Sequence, residues 1–157
     1  MRDILYSSLK RQSKGTELLT FMLEEEYSLL RGGQPDAVAG LEISIQELVR
    51  QLVREREFLQ KILAQAGYPS LAEYLATQSE DEQECFITLR DYLVDQEQAS
   101  ARQSTVNADL AMALWEQSGQ LLSTFSSRIA PKERNTYTAK GTWHDRSTTA
   151  SLVSGRL

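Results

Sequence analysis

The chain is poor in the residues that build most enzyme centres. It has one cysteine, Cys85, and one histidine, His144. A disulfide framework and a structural zinc site both need several such ligands, so neither is expected. A single histidine also argues against a histidine-built catalytic or metal centre. Three prolines and eight glycines in 157 residues are too few for a loop-rich β protein. No apolar run approaches the roughly 18 residues of a membrane span. Met1-Arg2-Asp3-Ile4-Leu5-Tyr6-Ser7 lacks the apolar stretch of a signal peptide. These absences predict a cytoplasmic protein without stable membrane insertion. The net charge of −5 argues against nucleic acid as a partner.

The charge that is present is unevenly placed. Residues 1–129 hold 12 basic and 20 acidic side chains, and residues 130–157 hold 5 basic and 2 acidic. An acidic body followed by a basic tail is the first sign of organisation.

The body reads as helix throughout. Leu5, Leu9, Gln12, Thr16, Leu19, Leu23, Glu26 and Leu30 step by four and three, a helical stripe with polar interruptions. This predicts a helix over about 3–31, stopped by Gly32-Gly33-Gln34-Pro35. Val38, Leu41, Ile45, Leu48, Leu52, Glu55, Leu59, Ile62 and Ala66 continue the spacing over about 35–66, widened by Val49, Val53 and Leu63. The short linker makes these two helices antiparallel neighbours. After Gly67-Tyr68-Pro69, Ser70-Leu71-Ala72-Glu73 has capping-box spacing and predicts a short helix over about 71–78. Ser79-Glu80-Asp81-Glu82 repeats that spacing and opens a long segment, about 80–129, without proline. Its acidic first turn suits the positive end of the helix dipole.

At 1.5 Å per residue the first two helices are roughly 45 Å long and an unbroken third is about 75 Å. The third helix can pack its first half on the hairpin. Its second half carries Leu110, Leu114, Trp115, Leu121, Leu122, Phe125 and Ile129. Either this half stays exposed and marks a partner surface, or the helix breaks near Ser118-Gly119 and folds back as core. The fold class is therefore all-α. It is an antiparallel hairpin plus a long third helix, an elongated coiled-coil-like three-helix bundle over 1–129. Residues 130–157, eight of them Ser or Thr, lack periodicity and predict a flexible basic tail.

No phosphate loop, dinucleotide fingerprint, zincin motif or nucleophile elbow is present. His144-Asp145 stands on a polar tail with no shell to orient it. Cys85 has no adjacent base to lower its pKa and is expected to be a small, at least half-buried side chain. Glu24-Glu25-Glu26 and Glu80-Asp81-Glu82 lack the helical histidines of a di-iron bundle. The expectation is a protein with no catalytic residues, metal or cofactor.

Several short stretches together resemble the FlgN family of flagellar type III export chaperones. Leu23-Glu24-Glu25-Glu26-Tyr27, then Leu29-Leu30-Arg31, is similar to the family's acidic first-helix ending. Arg56, Leu59, Ile62, Leu63 and Gly67 resemble the close of its second helix, and Ser70-Leu71 its short helix. Val106-Asn107-Ala108-Asp109-Leu110, then Ala113-Leu114, resembles an asparagine-and-leucine stretch. Tyr137-Thr138-Ala139-Lys140-Gly141 is similar to a tail signature. Where the family carries a lysine in the second helix, this chain has Ile45-Gln46-Glu47.

The resemblance implies a cytoplasmic, non-enzymatic chaperone. It implies binding to the C-terminal helical region of the hook-associated proteins FlgK and FlgL, protection from premature assembly, and delivery to the export gate. The gate protein is FlhA, and FliJ is a further implied partner. On this reading Leu110, Leu114, Trp115, Leu121, Leu122, Phe125 and Ile129 bind the client, while Tyr137, Lys140 and Gly141 bind the gate. Two alternatives stay open: a coiled-coil homodimeric scaffold, and a chaperone or adaptor of another secretion system.

Overall fold

The computed structural model describes residues 1–129, and of Ile129 the backbone only. The expected tail over 130–157 lies outside the described residues. Four helices follow one another: α1, Arg2–Arg31; α2, Pro35–Gln65; α3, Leu71–Leu75; and α4, Glu80–Ile129. The fold is all-α. The chain divides into two compact units, Met1–Met112 and the part from Ala113 onward.

Local chemistry sets the helix ends. Gly33 has φ of +64° and Gly67 of +82°, a left-handed backbone that glycine adopts without a Cβ penalty. Around Gly33, Gly33 N–H donates to the Leu30 carbonyl and Gln34 N–H to the Leu29 carbonyl. Around Gly67, Gly67 N–H donates to Ala64 and Tyr68 N–H to Leu63. Both are Schellman closures, which satisfy carbonyls that the helix end would leave free. Pro35 then starts α2, where its missing N–H costs nothing. Ser70 caps α3, its Oγ accepting from Glu73 N–H at 3.2 Å. The helix expected over 71–78 ends earlier, at Leu75. There Thr77 Oγ1 donates to the Tyr74 carbonyl at 2.7 Å and Gln78 N–H to the Leu75 carbonyl, closing a turn.

Within Met1–Met112, α1 and α2 pack as the antiparallel hairpin. They come close at Gly15, where a Cβ would stand 2.7 Å from Leu52 Cδ2. α4 runs parallel to α1. Arg2 Nε meets Glu82 Oε1 at 2.8 Å, Tyr6 stacks edge-on to Phe86 at 5.6 Å, and Thr20 Oγ1 meets Ser100 Oγ at 2.7 Å, each pair 80 residues apart. At that offset Arg31, the end of α1, is level with Ala111.

The apolar core sits at one end of this unit. Leu5 and Leu9 of α1, Leu59 and Leu63 of α2, Tyr74 and Leu75 of α3, and Phe86 and Leu93 of α4 are buried together. Tyr74 packs edge-on against both Tyr68 and Phe86, and burial pushes its phenol pKa up. Each buried leucine here contributes about 1.5–3 kcal/mol relative to exposure. Cys85, expected to be at least half-buried, is instead exposed, while its neighbour Phe86 takes the core position.

Polar side chains are buried along the same seam: Ser8, Gln12, Ser13 and Thr16 of α1, and Ser100 and Asn107 of α4, with the apolar Leu23 buried farther along α1. Among the described residues, every buried side-chain nitrogen and oxygen has a hydrogen-bond partner. Of the polar interruptions of the first stripe, Gln12 and Thr16 are thus interior positions and Glu26 is half-buried.

Candidate functional site

Two surfaces stand out, one in each unit. The first lies within Met1–Met112. Leu19 and Leu23 of α1 with Ile45, Val49, Leu52 and Val53 of α2 form an apolar floor, and α4 lines it with Glu97, Ser100, Ala101 and Ser104. Small side chains over leucines leave a half-open trough of about 290 Å³. The Arg56–Glu97 ion pair stands at its edge. The sequence reading did not anticipate this trough. Its signal is the run of small residues, Ser100, Ala101 and Ser104, in a helix facing a leucine stripe.

The second surface is the helix from Ala113 to Ile129. Backbone helix runs through Ser118-Gly119 without a break. One glycine in an exposed helix interior costs about 1 kcal/mol, and no proline accompanies it. A break at Ser118-Gly119 is therefore excluded. The fifty-residue α4 carries one face that repeats every seven residues: Phe86, Leu93, Ser100, Asn107, Leu114 and Leu121. Its start is core, its middle is polar, and its end is apolar again.

That end is largely uncovered. Trp115 is 74% exposed, Leu121 62%, Leu122 71% and Phe125 67%. Leu114 is half-buried. Helix geometry puts Leu114, Leu121 and Phe125 on one stripe and Trp115 and Leu122 on the adjoining one. Between Glu116 and Arg128 no residue is charged. An exposed apolar stripe set among uncharged Gln, Ser and Thr has the composition of an interface core, where charge is depleted.

The other expected residues fall elsewhere. Leu110 is half-buried and belongs to the Met1–Met112 unit. Ile129 ends α4, and its side chain lies outside the description. Tyr137, Lys140 and Gly141 lie outside the described residues. The helix therefore gathers Leu114, Trp115, Leu121, Leu122 and Phe125 on one side.

Ion pairs and hydrogen bonds link helices within the Met1–Met112 unit. Arg11 donates to Glu55 through Nε at 3.0 Å and Nη2 at 3.1 Å, and Ser8 Oγ donates to the same carboxylate at 3.0 Å. The Arg11 bonds hold Glu55 below the ordinary carboxylate value. No three His, Cys, Asp or Glu side chains among the described residues could hold a metal ion together. No helix among them is long and apolar enough to cross a membrane.

An exposed, uncharged apolar face of this kind is the usual mark of a protein-contact surface. The family comparison sharpens this. The model of the FlgN protein family matches residues 1–144, and the chain belongs to that family of flagellar export chaperones. No curated protein and no solved structure matches it.

Proposed function

We propose that the protein is a cytoplasmic chaperone for the hook-associated proteins FlgK and FlgL. It holds their C-terminal helical region, prevents premature assembly and delivers them to the export gate. The observation that carries this reading is the uncovered face of Leu114, Trp115, Leu121, Leu122 and Phe125 in a chain of the FlgN family. Export clients of this kind carry amphipathic terminal helices, and an apolar helix face covers such a segment by side-to-side packing. Leu110 and Ile129 are further proposed client contacts. Tyr137, Lys140 and Gly141 are the proposed contact with FlhA, with FliJ as a recycling partner.

Burying an aromatic side chain of this size contributes on the order of 2 kcal/mol. Calorimetric titration with the FlgK C-terminal region is therefore expected to give tight 1:1 binding with a large negative heat-capacity change. Trp115→Ala combined with Phe125→Ala is expected to weaken it at least 10-fold while the circular dichroism stays helical. Unchanged affinity in that double variant removes the face from the client site. The same face also fits a second copy of the chain. Concentration-dependent mass that Trp115→Ala abolishes, with no client binding, would establish the homodimeric scaffold instead.

A further inference from the structure

The two ends of the α1–α4 seam are held by different forces. At the start, Leu5, Leu9, Phe86 and Leu93 are buried with α2 and α3 around them. From Gln96 to Met112, α4 meets α1 through hydrogen bonds, and Leu23 is the buried apolar side chain on the facing stretch of α1. Thr20 Oγ1 and Ser100 Oγ share one at 2.7 Å. Asn107 Nδ2 donates to the Leu23 carbonyl and to Glu26 Oε2, each at 2.7 Å. Gln103 Nε2 donates to Asn107 Oδ1 at 2.9 Å and orients the amide. Asn107 is buried, and its contacts are 81 and 84 residues away in sequence.

Such bonds are weak net stabilisers because each group also bonds water when it separates. They are directional, so they hold one arrangement and offer little resistance once broken. The neighbouring trough adds to the contrast. Beneath Ser100, Ala101 and Ser104 there is empty space where close packing would supply dispersion energy. Low apolar contact and solvent-exchangeable bonds characterise the parts of a protein that open first.

We propose that Ser100 and Asn107 form a polar latch. It closes residues 96–112 of α4 over the leucine floor of Leu19, Leu23, Ile45 and Leu52, and lets that stretch lift while the Leu5–Leu9–Phe86–Leu93 end stays shut. The latch is a property of the Met1–Met112 unit and does not depend on the client assignment. It makes the trough a gated surface, open for a fraction of the time that Asn107 sets.

A buried thiol reads the opening directly. In a Cys85→Ser background, Thr16→Cys places a probe under the latch, and Ser8→Cys places one two turns earlier on the same helix; both positions are buried. The Thr16→Cys thiol is expected to react with Ellman's reagent faster than the Ser8→Cys thiol. Adding Asn107→Ala should speed it further by on the order of 10-fold and leave the Ser8→Cys rate unchanged. If Asn107→Ala fails to fold, Thr20→Val removes the other bond and should produce the same difference. Equal rates at the two sites, or a latch variant that accelerates both alike, would overturn the proposal, since either means that the unit opens only as a whole.

Discussion

Glu55 is the best-partnered carboxylate among the described residues that bridges α1 and α2. Its folded pKa lies below the ordinary 4.5, chiefly through the hydrogen bond from Arg11, with Ser8 adding to it. A carboxylate lowered in the folded state contributes stability above its unfolded pKa. That contribution fades as pH falls through the folded value. Glu55→Gln is therefore expected to be less stable than the wild type at pH 7, and the two should converge as the solution is taken below pH 4.5. Urea midpoints at pH 7 and pH 3 check this, and a gap that stays constant between them contradicts it. The same residue shows how much was legible. Glu55 stands on the apolar stripe of α2 in the sequence, so its inward position was readable. Its partners Arg11 and Ser8 were not, because they lie 44 and 47 residues away.

The helices owe their limits to short-range chemistry, and two glycines separate the terms. Gly33 closes α1 at φ of +64°, where an L side chain is strained. Gly119 lies inside α4, and a Cβ there would meet nothing within 4 Å. Gly33→Ala should destabilise by about 1–2 kcal/mol. Gly119→Ala should stabilise α4 by up to about 1 kcal/mol. Thermal melts followed at 222 nm test both, and the same sign for the two substitutions refutes the account. At this scale the sequence was most informative. Pro35, Ser70, Gly33 and Gly67 act within four residues of themselves, so their effects are local and readable. The end of α3 was misplaced by three residues, because Thr77 and Gln78 use their hydrogen-bonding groups to close a turn rather than extend the helix.

For the molecule as a whole, the proposed roles divide along the chain. The proposed client face lies on α4, and the proposed gate contact lies at Tyr137, Lys140 and Gly141. Tyr137→Ala is expected to leave FlgK titrations unchanged and to reduce pull-down of the FlhA cytoplasmic domain. Loss of both interactions, or of neither, contradicts that division. Its value beside the double substitution on α4 is that each variant serves as the folding control for the other.

The sequence by itself determined the helices, their turns and the all-α class. These follow from 3.6-residue periodicity and from caps whose partners are adjacent in the chain. Family membership was likewise legible, because it rests on short stretches spread along the chain. Only the tertiary structure decided which apolar stripes are covered. Phe86 and Leu93 share a seven-residue register with Leu114 and Leu121, and periodicity treats all four alike. Phe86 and Leu93 are buried because α1, α2 and α3 converge on them. Leu121, with Trp115, Leu122 and Phe125 beside it, is left to solvent. Burial depends on what stands opposite a side chain, and no repeat within a single helix encodes that.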